Sequence, residues 1–225
     1  MADAVMQLFP EAKLGIGPPT EDGFYYDMEV SRPFTPDDLD QLTNIMNETI
    51  SEDLPFIHRK HTRGDIKELY GDQPYKLEII SDIPLDEDVT TYSHGSFSDL
   101  CQGPHVPSTG QVPAFKLLSV AGAYWRGSED RPMLQRIYGT AFETQEALEG
   151  FLVHLEEAEK RDHRKLGRQL GLFSVHDEIG PGLIVWHPKG ALIRSIIESY
   201  WQEQHYSHGY ELVNSPHLGR ARLWE

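Results

Sequence analysis

The sequence predicts an α+β fold in two modules joined by a long helix, and three observations carry that prediction. Residues 1 to 142 alternate Gly/Pro turns and aromatic, β-rich runs with a capped amphipathic helix. Between Glu143 and Leu170 apolar residues recur every three or four positions. Charge is divided unevenly, −14 over residues 1–100 and −2 over the rest of a total of −16. An acidic front half joined to a locally basic segment, Lys160 to Arg168, points to two functional regions.

At 225 residues the chain can bury one large core or two small ones, and 39% apolar residues exclude general disorder. The single cysteine, Cys101, cannot form an internal disulfide, which favours a reducing, cytoplasmic setting. The run from Met1 to Pro10 has no basic n-region, and no apolar stretch reaches the length of a bilayer span, so a soluble protein without membrane association is expected. The net charge disfavours DNA and nonspecific nucleic-acid partners, without excluding an RNA that touches part of the surface.

Gly15 to Gly23 sets turn formers around Glu21-Asp22, and Phe24 to Val30 is aromatic; together they read as strand, loop and returning strand. Thr35 before Pro36, with Asp38 at the third helical position, predicts a capping box. Leu39, Leu42, Ile45, Met46 and Ile50 then extend a helix from about Pro36 to Glu52. Pro55 stops it. Phe56 to Thr62 reads as a strand, Asp65 to Tyr70 as a short helix, and the alternation of Tyr75 to Ile80 as another strand.

From Tyr92 to Gly139 the chain is rich in Gly, Pro and aromatics, a composition suited to a site, with short β runs at Phe115 to Val120 and Gln135 to Tyr138. Glu143 to Leu170 reads as one linker helix, supported by Glu156/Lys160 and Glu157/Arg161 pairs and stopped by Gly171. Leu192, Ile193, Ile196, Ile197, Tyr200 and Trp201 form a broad apolar stripe on a last helix ending at Gly209, before a strand at Tyr210 to Val213. One helix and one strand cannot close a core, so residues 171–225, ending abruptly at Leu223 to Glu225, are expected to want a partner.

The densest chemistry is Asp99-Leu-Cys101-Gln-Gly-Pro-His105. Gly103-Pro104 turns the chain so that a thiol and an imidazole four residues apart can face one point, with Asp99 placed to orient the imidazole. Two metal ligands, a thiolate with its base, and a buried cysteine beside a hydrogen-bonded histidine all fit this spacing. Cys101 and His105 are only half of a tetrahedral zinc site, so no metal is expected there with useful affinity. His58 and His61, three apart on a strand, face opposite sides and cannot chelate one ion. Lys76, in a strand expected near the Cys/His loop, could orient a water or a carbonyl. Tyr124-Trp-Arg126 sets two aromatics beside a cation, which suits a nucleobase and a phosphate.

Ile16 to Asp27, Asp99 to Pro107, Lys116 to Gly127, Met133 to Ala141 and Lys160 to Gly167 together resemble bacterial-type threonyl-tRNA synthetases, in collinear order over the whole chain. The resemblance implies an editing domain of the threonyl/alanyl type at residues 1–142, which hydrolyses serine wrongly esterified to threonine tRNA. It implies a linker helix at 143–170 and, at 171–225, the start of a class II antiparallel-sheet catalytic domain. Trp186 to Pro216 would be its motif 1, the homodimer element. By matching position, Lys76 would place or activate the water, Asp99, Cys101 and His105 would line the pocket, and Tyr25 would contact the terminal adenosine.

The family's His-x-x-x-His pair is expected upstream of the segment matching Met1 to Val5, so the 225 residues alone should hydrolyse little seryl-tRNA. Gln102 stands where the family usually has Arg, which removes a charge for phosphate. The parent ligase's ATP with Mg2+ and its Zn2+ would be held by residues beyond 225. A segment of a threonine ligase is the first reading. A free-standing hydrolase of seryl-tRNA and a noncatalytic module pairing with a synthetase subunit are the alternatives.

Overall fold

The computed structural model describes residues 1–112, 114–216 and 220–223. It divides into two units, Met1–Val153 and His154–Glu225. The first opens with helix α1 (Ala2–Leu8), followed by strands β1 (Lys13–Leu14), β2 (Pro19–Thr20) and β3 (Gly23–Glu29). With β7 (Ala114–Tyr124) and β8 (Met133–Phe142), they form an antiparallel sheet in the order β1-β3-β8-β7, β2 pairing with β3. The strands expected at Phe115 to Val120 and Gln135 to Tyr138 are therefore the centres of a longer ribbon, in which Leu117 pairs with Gly139 and Val120 with Ile137.

Helix α2 (Pro36–Ser51) starts as its sequence requires: the Thr35 hydroxyl accepts from the Asp38 N–H, and the Asp38 carboxylate accepts from the Thr35 N–H. Arg32 clamps the Asp38 carboxylate with two bonds of 2.6 and 2.8 Å. Together α1 and α2 cover one face of the sheet, burying Val5, Phe9, Met28, Leu42, Leu117 and Ile137 in one core.

A second sheet is a meander, β4 (Ile57–His61), β5 (Val89–His94) and β6 (Phe97–Leu100). Two helices interrupt it, α3 (Arg63–Leu69) and α4 (Pro74–Asp82), which bury Ile66, Tyr70 and Ile80 against Val89. The strand expected at Tyr75 to Ile80 is thus corrected to a helix. Pro74 opens its first turn, and the buried Tyr75, Lys76 and Ile80 lie on one helical face. The apolar alternation there is a short-range coincidence that the two-layer packing overrides. The strands β5 and β6, and helix α1, are elements the sequence reading does not single out.

Helix α5 (Gln145–Lys160) begins in the first unit, where Leu148 is buried and Phe151 meets Phe142 at 5.0 Å. The single linker helix expected to reach Leu170 is corrected to two. Asp162 leaves helical geometry and caps α6 (His163–Gln169) by accepting from the Arg164 N–H, so a good capping residue divides a continuous apolar pattern. The second unit continues with a hairpin of β9 (Phe173–Val175) and β10 (Ile184–Trp186) and helix α7 (Pro188–Ser207). Residues 210–213, expected as a strand, have no regular structure and are exposed: no neighbouring strand among the described residues takes their backbone groups. Trp224 and Glu225, in the expected abrupt end, lie outside the described residues. No helix among the described residues is long and apolar enough to cross a membrane.

Candidate active site

A cavity of about 640 Å³ opens within the first unit. The pleat of the meander builds one wall: Thr90, Tyr92 and His94 of β5 and Phe97 and Asp99 of β6, with Cys101 just beyond it, alternate onto the cavity side. Strand β3 adds Tyr26, helix α4 adds Lys76, and the loop after β6 adds His105.

At its base three side chains close a ring. The Lys76 Nζ lies 2.6 Å from Asp99 Oδ1 and donates to the Tyr26 hydroxyl at 2.8 Å, while that hydroxyl donates to Asp99 Oδ2 at 2.5 Å. The Leu100 N–H also donates to Asp99 Oδ1, at 2.7 Å. Lys76 is 3% exposed and Asp99 16%. A lysine so buried is tolerable because its charge is paired and hydrogen-bonded. Burial and the Asp99 charge push the Tyr26 phenol well up, so it remains a protonated donor. Two of the three ammonium hydrogens serve the ring, leaving the third for a ligand oxygen.

Beside this ring, Cys101 Sγ and His105 Nε2 are 3.2 Å apart, and the Gly103 N–H donates to the sulfur at 3.3 Å. Gly103 has φ +72° and its α-carbon faces the Tyr92 ring, so no side chain fits there. The Gly103-Pro104 peptide is cis. Phe56 stacks on the His105 ring at 4.9 Å, and Tyr92 lies 4.4 Å away. Burial, followed by the proximity of His94, lowers the His105 pKa against the opposing pull of Asp99, which keeps its imidazole neutral near pH 7. Among the described residues no group of three His, Cys, Asp or Glu could hold a metal ion, so Cys101 and His105 stand as a two-donor pair.

The structure thus brings together Lys76, Asp99, Cys101 and His105, although Lys76 arrives on a helix. Tyr25 borders the cavity but lays its ring against the Arg136 guanidinium, 3.8 Å from the centroid. Tyr124 and Arg126 do not line it: Tyr124 ends β7 exposed, and Arg126 is paired with Glu78 at 2.9 Å and with Asp82. His58 is exposed, its ring tilted against that of Tyr92 at 4.8 Å, while His61 bonds Thr91, so the two face apart. The sequence reading misses Tyr26 and His94. Alternation along residues 90–94 and 97–101 would have marked the wall, but nothing local distinguishes Tyr26 from Tyr25.

Residues 89–138 match the threonyl and alanyl tRNA synthetase second additional domain. That stretch contains β5, β6, the Cys/His loop, β7 and the first six residues of β8. Longer matches span the whole chain. The whole chain is 53% identical to the threonine–tRNA ligase of Dehalococcoides mccartyi strain CBDB1, covering 38% of it. It is 54% identical over 227 aligned positions to that of Solidesulfovibrio magneticus and 48% to that of Borrelia recurrentis, covering all of this chain and 35% and 39% of theirs. The chain is therefore similar from end to end to a segment of threonine–tRNA ligase, an aminoacyl-tRNA synthetase, and spans a little over a third of those relatives' length.

Proposed function

We propose that the first unit proofreads for a threonine–tRNA ligase, hydrolysing serine esterified to threonine tRNA. The observation that carries this reading is the closed Lys76–Tyr26–Asp99 ring facing the Cys101–His105 pair in one cavity. A pocket that selects threonine in a synthetic site rejects serine, smaller by one methyl, by only about 1–3 kcal/mol. A second pocket that admits serine and excludes threonine supplies the remaining discrimination. In the hydrolysis a water oxygen adds to the ester carbonyl carbon, the bond from that carbon to the ribose oxygen breaks, and the ribose oxygen takes the proton. Serine and uncharged tRNA leave. Lys76, held rigid by its two partners, offers its remaining N–H to the water or to the carbonyl oxygen as charge grows there.

Calorimetry with an amide-linked seryl-adenosine, which cannot be cleaved, tests this without depending on turnover. Saturable binding, at least about tenfold tighter than for the threonyl analogue and weakened by Lys76→Ala, is the expected result. Equal binding of the two, or none of either, refutes it.

For the second unit we propose the start of the class II catalytic domain and a self-association element. Leu192, Ile196, Ile197, Tyr200 and Trp201 on α7 are each more than half exposed, an apolar face that water disfavours. Sedimentation of the wild type and of Ile196→Glu/Trp201→Glu at matched concentrations checks it. A homodimer that the charged variant abolishes is expected, and two identical monomeric profiles would sink the idea.

A further inference from the structure

We propose that His94, oriented by Asp3, is a further ligand-positioning residue of the pocket, accepting a hydrogen bond on Nδ1 from a hydroxyl of the bound seryl-ribose end. The inference rests on the proofreading reading and extends it to a residue outside the Lys76 ring and the Cys101–His105 pair.

His94 follows Thr90 and Tyr92 along the cavity face of β5. Its Nε2 lies 3.0 Å from Asp3 Oδ2, and both side chains are largely buried, 11% and 18% exposed. An ionised carboxylate can only accept, so this contact places the proton on Nε2 and, in the neutral ring, leaves the lone pair on Nδ1. Burial works against the Asp3 charge, but the bonds from His94 and Gln7 more than offset it and hold the carboxyl below its usual range, so Asp3 is ionised at neutral pH. Among the described residues no hydrogen-bond partner takes Nδ1. The ring is also held by its neighbours: Phe56 meets it edge-on at 5.1 Å and Phe97 lies 5.5 Å away. Phe56 stacks on His105 as well, so one aromatic ring spaces the two imidazoles. A fixed tautomer, a fixed ring plane and an unpartnered acceptor on a residue that lines a ligand-sized cavity are the attributes of a group that reads a hydroxyl.

The test begins on the unmodified 225-residue chain with ¹⁵N-labelled histidine, observed by long-range ¹H–¹⁵N NMR at pH 8. His94 is expected as the Nε2–H tautomer with Nδ1 unprotonated, and amide-linked seryl-adenosine is expected to shift the Nδ1 resonance in the direction of hydrogen-bond acceptance. The alanyl analogue, which lacks the serine hydroxyl, separates the two sources: loss of the shift assigns the serine hydroxyl, and its persistence assigns a ribose hydroxyl. Either result supports the proposal. His94→Phe keeps the ring contacts and removes the nitrogens, and should weaken binding about threefold to tenfold. Asp3→Asn replaces a group that can only accept with an amide that can also donate to Nε2, so it should let the Nδ1–H tautomer appear in the same spectrum and weaken binding in the same direction as His94→Phe. A proton on Nδ1 in the free protein, or ligand binding that moves His105 and leaves His94 Nδ1 unmoved, overturns the proposal while sparing the proofreading reading. Absence of any binding overturns both.

Discussion

Replacing Lys76 with methionine keeps the length and most of the volume of the side chain and removes the cation paired with Asp99 in the pocket. Breaking a buried ion pair from one side typically costs about 3–5 kcal/mol, because the surviving charge is stranded. Asp99 would still accept from Tyr26 at 2.5 Å and from the Leu100 N–H at 2.7 Å, so each of its oxygens keeps a donor and the lower end applies. A loss of about 3 kcal/mol, at about 2–4 °C per kcal/mol for a protein of this size, lowers the melting temperature by about 6–12 °C. Adding Asp99→Asn removes the stranded charge, and the double variant should regain about 1–2 kcal/mol over Lys76→Met alone. Thermal and urea unfolding followed by circular dichroism measure both. A single variant within about 1 kcal/mol of wild type, or a double variant less stable than the single, would refute the reasoning that charge burial governs this site.

Tyr26→Phe deletes two bonds to charged groups but leaves the direct Lys76–Asp99 contact, and should cost about 2 kcal/mol in the same unfolding assays. Gly103→Ala must place a β-carbon against the Tyr92 ring at a φ of +72°, so a loss of at least about 2 kcal/mol is expected. A faster reaction of Cys101 with iodoacetamide should accompany it as the loop opens. For Asp38, the Arg32 hydrogen bonds, against some burial and with help from Thr35, depress the folded-state pKa. The stabilisation is therefore full above the unfolded carboxyl value near 4 and fades as pH falls through the folded one. Asp38→Asn should cost about 1 kcal/mol at pH 7, and its melting curve should converge on that of the wild type as pH drops below about 4.

Much of this molecule is legible in local chemistry. The α2 cap at Thr35 and Asp38, the α7 stripe, the turn at Gly103-Pro104 and the i,i+4 pair of Glu156 with Lys160 depend on residues a few positions apart, and the structure contains each of them. Elements that local pattern misassigns are those for which a distant partner decides. Tyr75 to Ile80 alternates like a strand, yet the chain coils there so that Ile80 can pack with Ile66 and Val89 while Lys76 reaches Asp99. Residues 210–213 have strand-forming composition, but a strand exists only where another backbone pairs with it, and none does among the described residues.

The candidate site divides in the same way. Asp99, Cys101 and His105 could be named from sequence because they fall within seven consecutive residues, the end of β6 and the loop after it. Choosing Tyr26 over Tyr25 required the sheet, since adjacent residues of a strand face opposite sides and only the packing of α4 against β3 determines which side meets Lys76. The Asp3–His94 contact joins residues 91 positions apart and is invisible in any local window. Sequence alone determined the capped helix α2, the turn at Gly103-Pro104 and the Asp99, Cys101 and His105 part of the pocket. Tertiary structure decided which buried charges neutralise one another, because that depends on distances closed only when sheet, helix and loop converge.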